Sequence, residues 1–163
     1  MLNIVRAAIN HLESITDIYN NAVLTSTATF DTEPVSINDQ RLWFNEHNDK
    51  FPIYVAEMDD MVVGWASLSR WSGRCAYGNT AEISIYIKTE HRGKRIGTKL
   101  LQKILREGKV AGLHTVIARI AEGSEISIKL HKKAGFEHIG VMKEVGEKFG
   151  KLLDVYLMQL IFK

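Results

Sequence analysis

The chain has 163 residues, of which 45% are hydrophobic and 25% charged, as is typical of a globular protein with room for a sizeable core. Its formal net charge of +2, with mixed signs, excludes the broad positive surface that favours nucleic acid. The single cysteine, Cys75, excludes an intramolecular disulfide and favours a reducing compartment, and no apolar run approaches the roughly 20 residues that span a bilayer. We therefore expect one domain, residues 1–163, in the cytoplasm, without nucleic-acid or membrane partners.

The first third of the chain predicts one strand and two helices. A short strand covers Ile4 to Ala7, and apolar residues recur at helical spacing from His11 onward. Ser36 is a typical N-cap residue, from which a second helix is predicted to run through about Lys50.

The remaining two thirds predict six strands and two helices. Residues 51–69 are typical of a hairpin that turns at Asp59 and Asp60, and "AEISIYIK" (residues 81–88) is the next strand. The later elements are a helix after Gly97, a strand at 115–121, a helix from its cap Ser124 to about Ala134 that Gly135 ends, and strands at 136–142 and 152–162. This order predicts a mixed α/β sheet in one domain.

The stretch "EHRGKRIGTKLLQKIL" places positive charge and glycine directly at a helix start. The first N–H groups of a helix are unpaired and carry the positive end of its dipole, so they can hold an anion. Gly93 and Gly97 permit the close approach and positive φ that such a turn needs. The spacing matches neither GxxxxGK[ST] nor GxGxxG. A plain solvated helix start is the alternative.

The strand before this helix carries a carboxylate. Side chains alternate along "AEISIYIK", so Glu82, Ser84 and Tyr86 share one face and three isoleucines share the other. A strand inside a mixed sheet normally has apolar residues on both faces. Glu82 therefore indicates either an edge strand or a cleft.

Taken together, these segments resemble the GNAT acetyltransferase superfamily. Strand, basic loop, helix, "VIARIA" and "SEISIKLHKKAGF" follow one another as in that family, and Arg92 and Gly97 match its Arg/Gln-x-x-Gly-x-Gly/Ala motif. The blocks "IYNNAVLTSTATF", "AYGNTAEISIYI" and "GEKFGKLLDVYLMQL" are similar to the phosphinothricin N-acetyltransferases and their methionine sulfoximine-acetylating relatives. The resemblance extends from Arg6 to Leu160. It implies a GNAT fold: a single α/β domain whose mixed, mostly antiparallel central sheet is flanked by helices, with a splay between two central parallel strands.

The resemblance implies acetyl-CoA as the acetyl donor. Its pantetheine arm would lie along the splayed strand, and its pyrophosphate would sit on the N–H groups of the basic loop, residues 92–98. The residues so assigned to CoA are Ile85, Tyr86, Ile87, Arg92, Gly93, Lys94, Arg95, Ile96, Gly97, Thr98, Ser124 and Lys133. Arg95, Ser124 and Leu152 depart from the glycine, asparagine and tryptophan usual at their positions.

The resemblance also implies catalytic residues. The acceptor amine must lose a proton before it attacks the thioester, and Glu82 is the expected general base. His131 is expected either to donate a hydrogen bond to the leaving thiolate or to be a structural helix histidine that orients its neighbours. Direct transfer needs no covalent intermediate, so Cys75 is expected to be dispensable. The other five histidines show no ligand spacing, and no metal site is expected.

The implied acceptor is the α-amine of a small amino acid analogue. Bidentate Arg74 would suit its carboxylate, although a solvated loop is the alternative. The residues assigned to the acceptor are Phe30, Ser72, Gly73, Arg74, Tyr77, Glu82, Lys148 and Phe149, of which the last two would come from a partner subunit in a homodimer. The rival functions are acetylation of a peptide N-terminus or a polyamine, and a non-catalytic CoA-binding sensor module.

Overall fold

Seven strands and four helices follow one another in the order predicted from the sequence. The computed structural model describes residues 1–163. The strands are β1 (Leu2–Arg6), β2 (Ile53–Met58), β3 (Met61–Arg70), β4 (Thr80–Ile87), β5 (Thr115–Ala121), β6 (Glu137–Lys148) and β7 (Lys151–Ile161). The helices are α1 (Leu12–Thr25), α2 (Ile37–Asn45), α3 (Ile96–Val110) and α4 (Glu125–Lys133). None of them is long and apolar enough to cross a membrane.

The strands form one sheet in the order β1-β2-β3-β4-β5-β7-β6, in which only β4 and β5 are parallel neighbours. These two strands pair only from Thr80 opposite Thr115 to Glu82 opposite Ile117. Beyond that point β4 continues along β3 to Ile87, and β5 continues along β7. The two strands therefore separate after Glu82, and the predicted splay is confirmed.

Helices cover both faces of the sheet and orient β4. On one face α3 buries Leu100 and Ile104 in the main hydrophobic cluster together with Ile83 of β4. Full burial of such a side chain contributes roughly 1.5–3 kcal/mol. On the other face α1 packs Ile15 against a second cluster, which Tyr86 of β4 also contacts. The alternation predicted for β4 is thus confirmed, and Glu82 shares a face with Tyr86.

The predicted start of α2 is confirmed, whereas its predicted end is wrong. The Ser36 hydroxyl caps the helix by accepting the Asp39 N–H at 3.1 Å. The helix ends at Asn45 and not near Lys50, because the Asn48 side chain accepts the backbone N–H groups of Lys50 and Phe51, both at 3.0 Å. This local turn competes with continuation of the helix.

Two further details differ from the prediction. Ser124 occupies the N-cap position of α4, but its side chain makes no capping hydrogen bond. Strand β6 does not end near Met142 but continues to Lys148 through a bulge between Met142 and Gly146. The bulge is held by Asp154, whose carboxylate accepts the Glu144 N–H at 2.7 Å. The pattern ended the strand early because a bulge interrupts the period-two alternation.

Candidate active site

The separation of β4 from β5 opens a cavity of about 800 Å³, referred to below as the cleft. Residues 82–86 of β4 and 118–121 of β5 line it. Residues 27–31, parts of α1 and α2, one side of α4 and the bulge of β6 also contribute to its walls. Glu82 therefore stands in a central strand beside a cleft, and the edge-strand alternative is wrong.

The basic loop leads into α3 with its backbone unpaired. The N–H groups of residues 93–98 donate no hydrogen bond within the chain. Gly93 has φ +76°, and Arg95, the N-cap residue of α3, has φ 62°. Arg95 thus adopts the left-handed conformation in which glycine would be unstrained. Free donors at a helix N-terminus can hold an anion.

Gly97 joins α3 to its neighbours at close range. A Cβ added there would lie 3.4 Å from Leu130 Cδ2 of α4 and 3.9 Å from Ile85 Cδ1 of β4. These are ordinary contact distances, so the position tolerates one methyl group but has little room for a larger side chain.

The other residues predicted to contact CoA are distributed along and outside the cleft. Ile85, Tyr86 and Ser124 line it, whereas Ile87 does not. Lys133 is exposed in the last turn of α4 and lies outside the cleft lining.

Glu82 forms a bidentate ion pair with Arg119 of β5. Arg119 Nη2 donates to Glu82 Oε1 at 2.8 Å, and Nε donates to Oε2. Arg119 lies two residues beyond Ile117, the pairing partner of Glu82, on the same face of the sheet, so its side chain bridges the two strands where they begin to separate. The hydrogen bond to the Glu82 carboxylate raises the pKa of the Arg119 guanidinium. Arg119 was not among the predicted site residues.

His131 is buried in α4 and lines the cleft. Its Nδ1 lies 2.8 Å from the Ser127 carbonyl oxygen, which can only accept, so Nδ1 carries the proton. Burial lowers the pKa of His131. The neutral ring then offers only a lone pair at Nε2, and it has no second proton for a thiolate. Phe136 packs edge-on against the ring, with centroids 5.1 Å apart. These contacts favour the alternative in which His131 orients its neighbours.

Four aromatic side chains form one wall of the cleft. Trp65 lies at the centre, with ring centroids 5.0 Å from Tyr86, 5.3 Å from Trp43 and 6.2 Å from Tyr19. The Trp65 indole N–H is buried without a hydrogen-bond partner. Burial raises the pKa of Tyr86 to about 12, so its hydroxyl is protonated and donates to the Ala28 carbonyl at 3.3 Å. Only Tyr86 of this group was predicted to belong to the site.

Residues 29–31 are held in place by hydrogen bonds from α1 and β6. The Tyr19 hydroxyl lies 2.8 Å from Thr29 Oγ1 and also donates to the Asp31 carboxylate. Lys148 Nζ donates to the Thr29 carbonyl oxygen at 2.8 Å, and burial lowers the pKa of Lys148. Lys148 is therefore engaged with its own chain.

Phe30 lines the cleft as predicted. Its ring lies against Gly146 in the β6 bulge, where any Cβ would collide with it. Phe149, at φ 53° in the turn between β6 and β7, is exposed and lies outside the cleft lining.

The predicted acceptor loop lies apart from the cleft. Residues Ser72, Gly73, Arg74 and Tyr77 all belong to the connection 71–79 between β3 and β4, and none of them lines the cleft. Arg74 is exposed and forms no ion pair, although its backbone N–H donates to Ser72 Oγ at 3.2 Å. The connection nevertheless touches the site through Trp71, whose ring centroid lies 5.7 Å from the Arg119 guanidinium carbon.

Comparison with known proteins identifies the family. Residues 14–136 match the family model described as "Acetyltransferase (GNAT) family". The chain belongs to the GNAT acetyltransferase family. Among its relatives, an L-methionine sulfoximine/L-methionine sulfone acetyltransferase from Pseudomonas paraeruginosa is 38% identical over 156 residues, which are 94% of this chain and 91% of that protein. The resemblance inferred from the sequence is thereby confirmed.

Solved structures agree with this GNAT assignment. A phosphinothricin acetyltransferase from Sinorhizobium meliloti, in complex with acetyl-CoA, has a TM-score of 0.95 at 36% identity and covers 98% of this chain and 88% of its own. A ribosomal-protein-alanine N-acetyltransferase from Brucella melitensis has a TM-score of 0.95 at 35% identity, with 98% and 99% covered. The predicted fold class is confirmed. No group of three or more histidine, cysteine, aspartate or glutamate side chains is placed to hold a metal ion.

Proposed function

We propose that this GNAT protein transfers an acetyl group from acetyl-CoA to the α-amine of a small amino acid analogue of the methionine sulfoximine or phosphinothricin type. The observation that carries the proposal is the position of Glu82 in a cleft at the point where β4 and β5 separate. Ile85, which lines this cleft, lies near Gly97 at the start of α3, where the N–H groups are free. The similarity to the Pseudomonas paraeruginosa enzyme supports the substrate class.

Acetyl-CoA is the donor in this family, and the residues of this chain fit it. The unpaired N–H groups of residues 93–98 suit the pyrophosphate, and Arg92, Lys94 and Arg95 add exposed positive charge around them. The gap beside Ile85 and Tyr86 suits the pantetheine arm. When bound, acetyl-CoA supplies the thioester carbon that the amine attacks.

Residues of the chain are proposed to remove the proton of the acceptor and to stabilise the charge that develops. The Glu82 carboxylate is proposed to take the proton of the acceptor ammonium, directly or through a water molecule. A backbone N–H between Ile85 and Ile87 is proposed to stabilise the oxygen on which charge develops. His131 is proposed to be a structural residue, since its Nδ1 proton is already held by Ser127 of the same helix and its ring packs against Phe136.

The acceptor site is proposed to include Phe30 and Glu82 of the cleft. Arg74, with Ser72, Gly73 and Tyr77, would join it if the connection 71–79 folds over the bound acceptor. Lys148 supports this wall through Thr29. Phe149 is proposed to reach a partner subunit, because Val145, Phe149 and Leu152 leave apolar side chains exposed around the β6–β7 turn. Light scattering that shows only monomers would rule out the homodimer.

The cytoplasmic location stays a prediction.

A second candidate is acetylation of a peptide N-terminus. The similarity to the Brucella melitensis ribosomal-protein-alanine N-acetyltransferase favours it over a polyamine acceptor.

One screen separates these functions. Purified protein and acetyl-CoA are mixed with methionine sulfoximine, phosphinothricin, an alanyl peptide or spermidine, and free thiol release is measured. We expect turnover with the two amino acid analogues. Turnover with the peptide alone would favour the second candidate, and no turnover with any amine would favour a CoA-binding sensor module.

A further inference from the structure

Arg119 is the only arginine that lines the cleft. It lies in the central strand β5, whose neighbouring residues Ala118 and Ile120 belong to the main hydrophobic cluster. A charged residue in such a strand is unusual unless it is paired. Its pairing with Glu82 satisfies this condition, but it does not use up the binding capacity of the guanidinium.

Three donors of Arg119 remain free. A guanidinium has five N–H donors, and Glu82 accepts one from Nε and one from Nη2. The Arg119 side chain is 52% exposed, against 20% for Glu82. A second carboxylate in the cleft can therefore reach Arg119 while Glu82 stays in place.

An α-amino acid carries its amine and its carboxylate on the same carbon atom. A site that deprotonates the amine and also binds the carboxylate therefore needs a base and a cation side by side. Glu82 and Arg119 meet this requirement with atoms in hydrogen-bond contact. Arg74, in contrast, lies outside the cleft lining.

We infer that Arg119 is a specificity-determining residue of the proposed reaction: it binds the acceptor carboxylate through the donors that Glu82 leaves free, and thereby places the amine next to Glu82. The inference rests on the proposed function. According to this inference, the cleft recognises the free carboxylate of the acceptor. An amide offers no negative charge for a bidentate, charge-assisted pair, so it binds less well.

The test compares L-methionine sulfoximine with its α-carboxamide as acceptors, at saturating acetyl-CoA, in wild type, Arg119→Ala, Arg119→Lys and Arg74→Ala. Arg106→Ala, an exposed arginine of α3 outside the cleft, is the matched control. We expect Arg119→Ala to raise the KM for the free acid by about 10- to 100-fold, with the KM for the carboxamide close to the wild-type value. Arg119→Lys keeps the charge but loses the planar fork, so it should restore part of the affinity.

Three results would overturn this inference without affecting the proposed function. The first is an unchanged KM for the free acid in Arg119→Ala, and the second is a KM that rises equally for the acid and the carboxamide in that variant. The third is a rise in KM for the free acid that occurs only in Arg74→Ala. An equal rise in KM for both acceptors would mean that Arg119 acts only by holding Glu82. The KM for acetyl-CoA verifies folding of each variant; if Arg119→Ala does not fold, the same acid-to-carboxamide comparison is made with Arg119→Lys. Wild-type protein that turns over neither acceptor would overturn the proposed function and, with it, this inference.

Discussion

On the side of the basic loop, residues 93–98 present backbone N–H groups that are free of any partner. On the side of the acceptor, Glu82 is bound to Arg119, which lies 37 residues further along the chain, and Thr29 is bound to Lys148, 119 residues away. The first region depends on local backbone conformation. The second depends on side chains that only the folded sheet brings together.

This difference predicts how each region responds to substitution. A backbone site is sensitive to changes of shape at glycine and less sensitive to the identity of exposed side chains. A site made of side-chain pairs is sensitive to single-atom changes in either partner, because the remaining group is left without its bond.

The largest effect is expected for Glu82→Gln, which keeps the size of the side chain but removes the basic oxygen. General-base catalysis typically contributes on the order of 100-fold or more, so kcat should fall by about that factor while acetyl-CoA binding is retained. Thiol release measures the first and calorimetry the second. Cys75→Ala, at the exposed free cysteine, is the control and should be close to wild type. A near-normal rate for Glu82→Gln would remove Glu82 from the mechanism.

The basic loop is tested by Gly97→Val. The methyl groups of valine would crowd Leu130, only 3.4 Å from an added Cβ, and would displace the start of α3 together with its free N–H groups. Loss of one or two charge-assisted hydrogen bonds corresponds to about 10- to 100-fold weaker acetyl-CoA binding, measured by calorimetry. Gly140→Val, where an added Cβ meets nothing within 4 Å, is the control. Unchanged affinity in Gly97→Val would place the pyrophosphate elsewhere.

A smaller effect is expected for Lys148→Met on the acceptor side. The buried Thr29 carbonyl would lose its donor at 2.8 Å, so the free energy of unfolding should fall by about 1–3 kcal/mol in urea titrations. Lys151→Met, an exposed residue of the same hairpin, should have little effect. Equal stability of the two variants would show that the Lys148–Thr29 bond does not fasten this wall.

The smallest effect concerns the pH dependence of stability. Burial lowers the pKa of His131 below its ordinary 6.5, so below about pH 6.5 the unfolded chain binds more protons than the folded protein, and stability falls as pH falls. One such proton contributes at most about 1.4 kcal/mol per pH unit. His131→Gln should reduce this loss of stability at low pH. Part of the loss should remain, because burial also lowers the pKa of His47. The free energy of unfolding is measured by urea titration between pH 7.5 and pH 5. The same pH dependence in wild type and His131→Gln would show that the fold does not keep His131 neutral.

Particular residues show how far pattern alone reaches. Glu82 could be identified because a carboxylate interrupts an apolar strand. The segment "TVIARIA" contains the same kind of signal at Arg119, a residue outside the predicted site. Tyr19, Trp43 and Trp65 offered no such signal, because aromatic residues at apolar positions are typical of any core. The end of α2 differs from the prediction because the Asn48 side chain forms a local turn there. The end of β6 differs because Asp154, on the neighbouring strand, holds a bulge that a period-two pattern does not show.

The sequence by itself determined the order of strands and helices and the glycine-containing basic loop, because hydrophobic periodicity and turn chemistry act between near neighbours in the chain. Its motifs, through their resemblance to known proteins, also indicated the family. Only the tertiary structure decided that Arg119, rather than Arg74, stands beside Glu82, and that Lys148 holds Thr29 of its own chain. Those pairs depend on where β4 and β5 stop pairing and on the bulge in β6. Such features follow from the packing of the whole sheet, and no local pattern of residues encodes them.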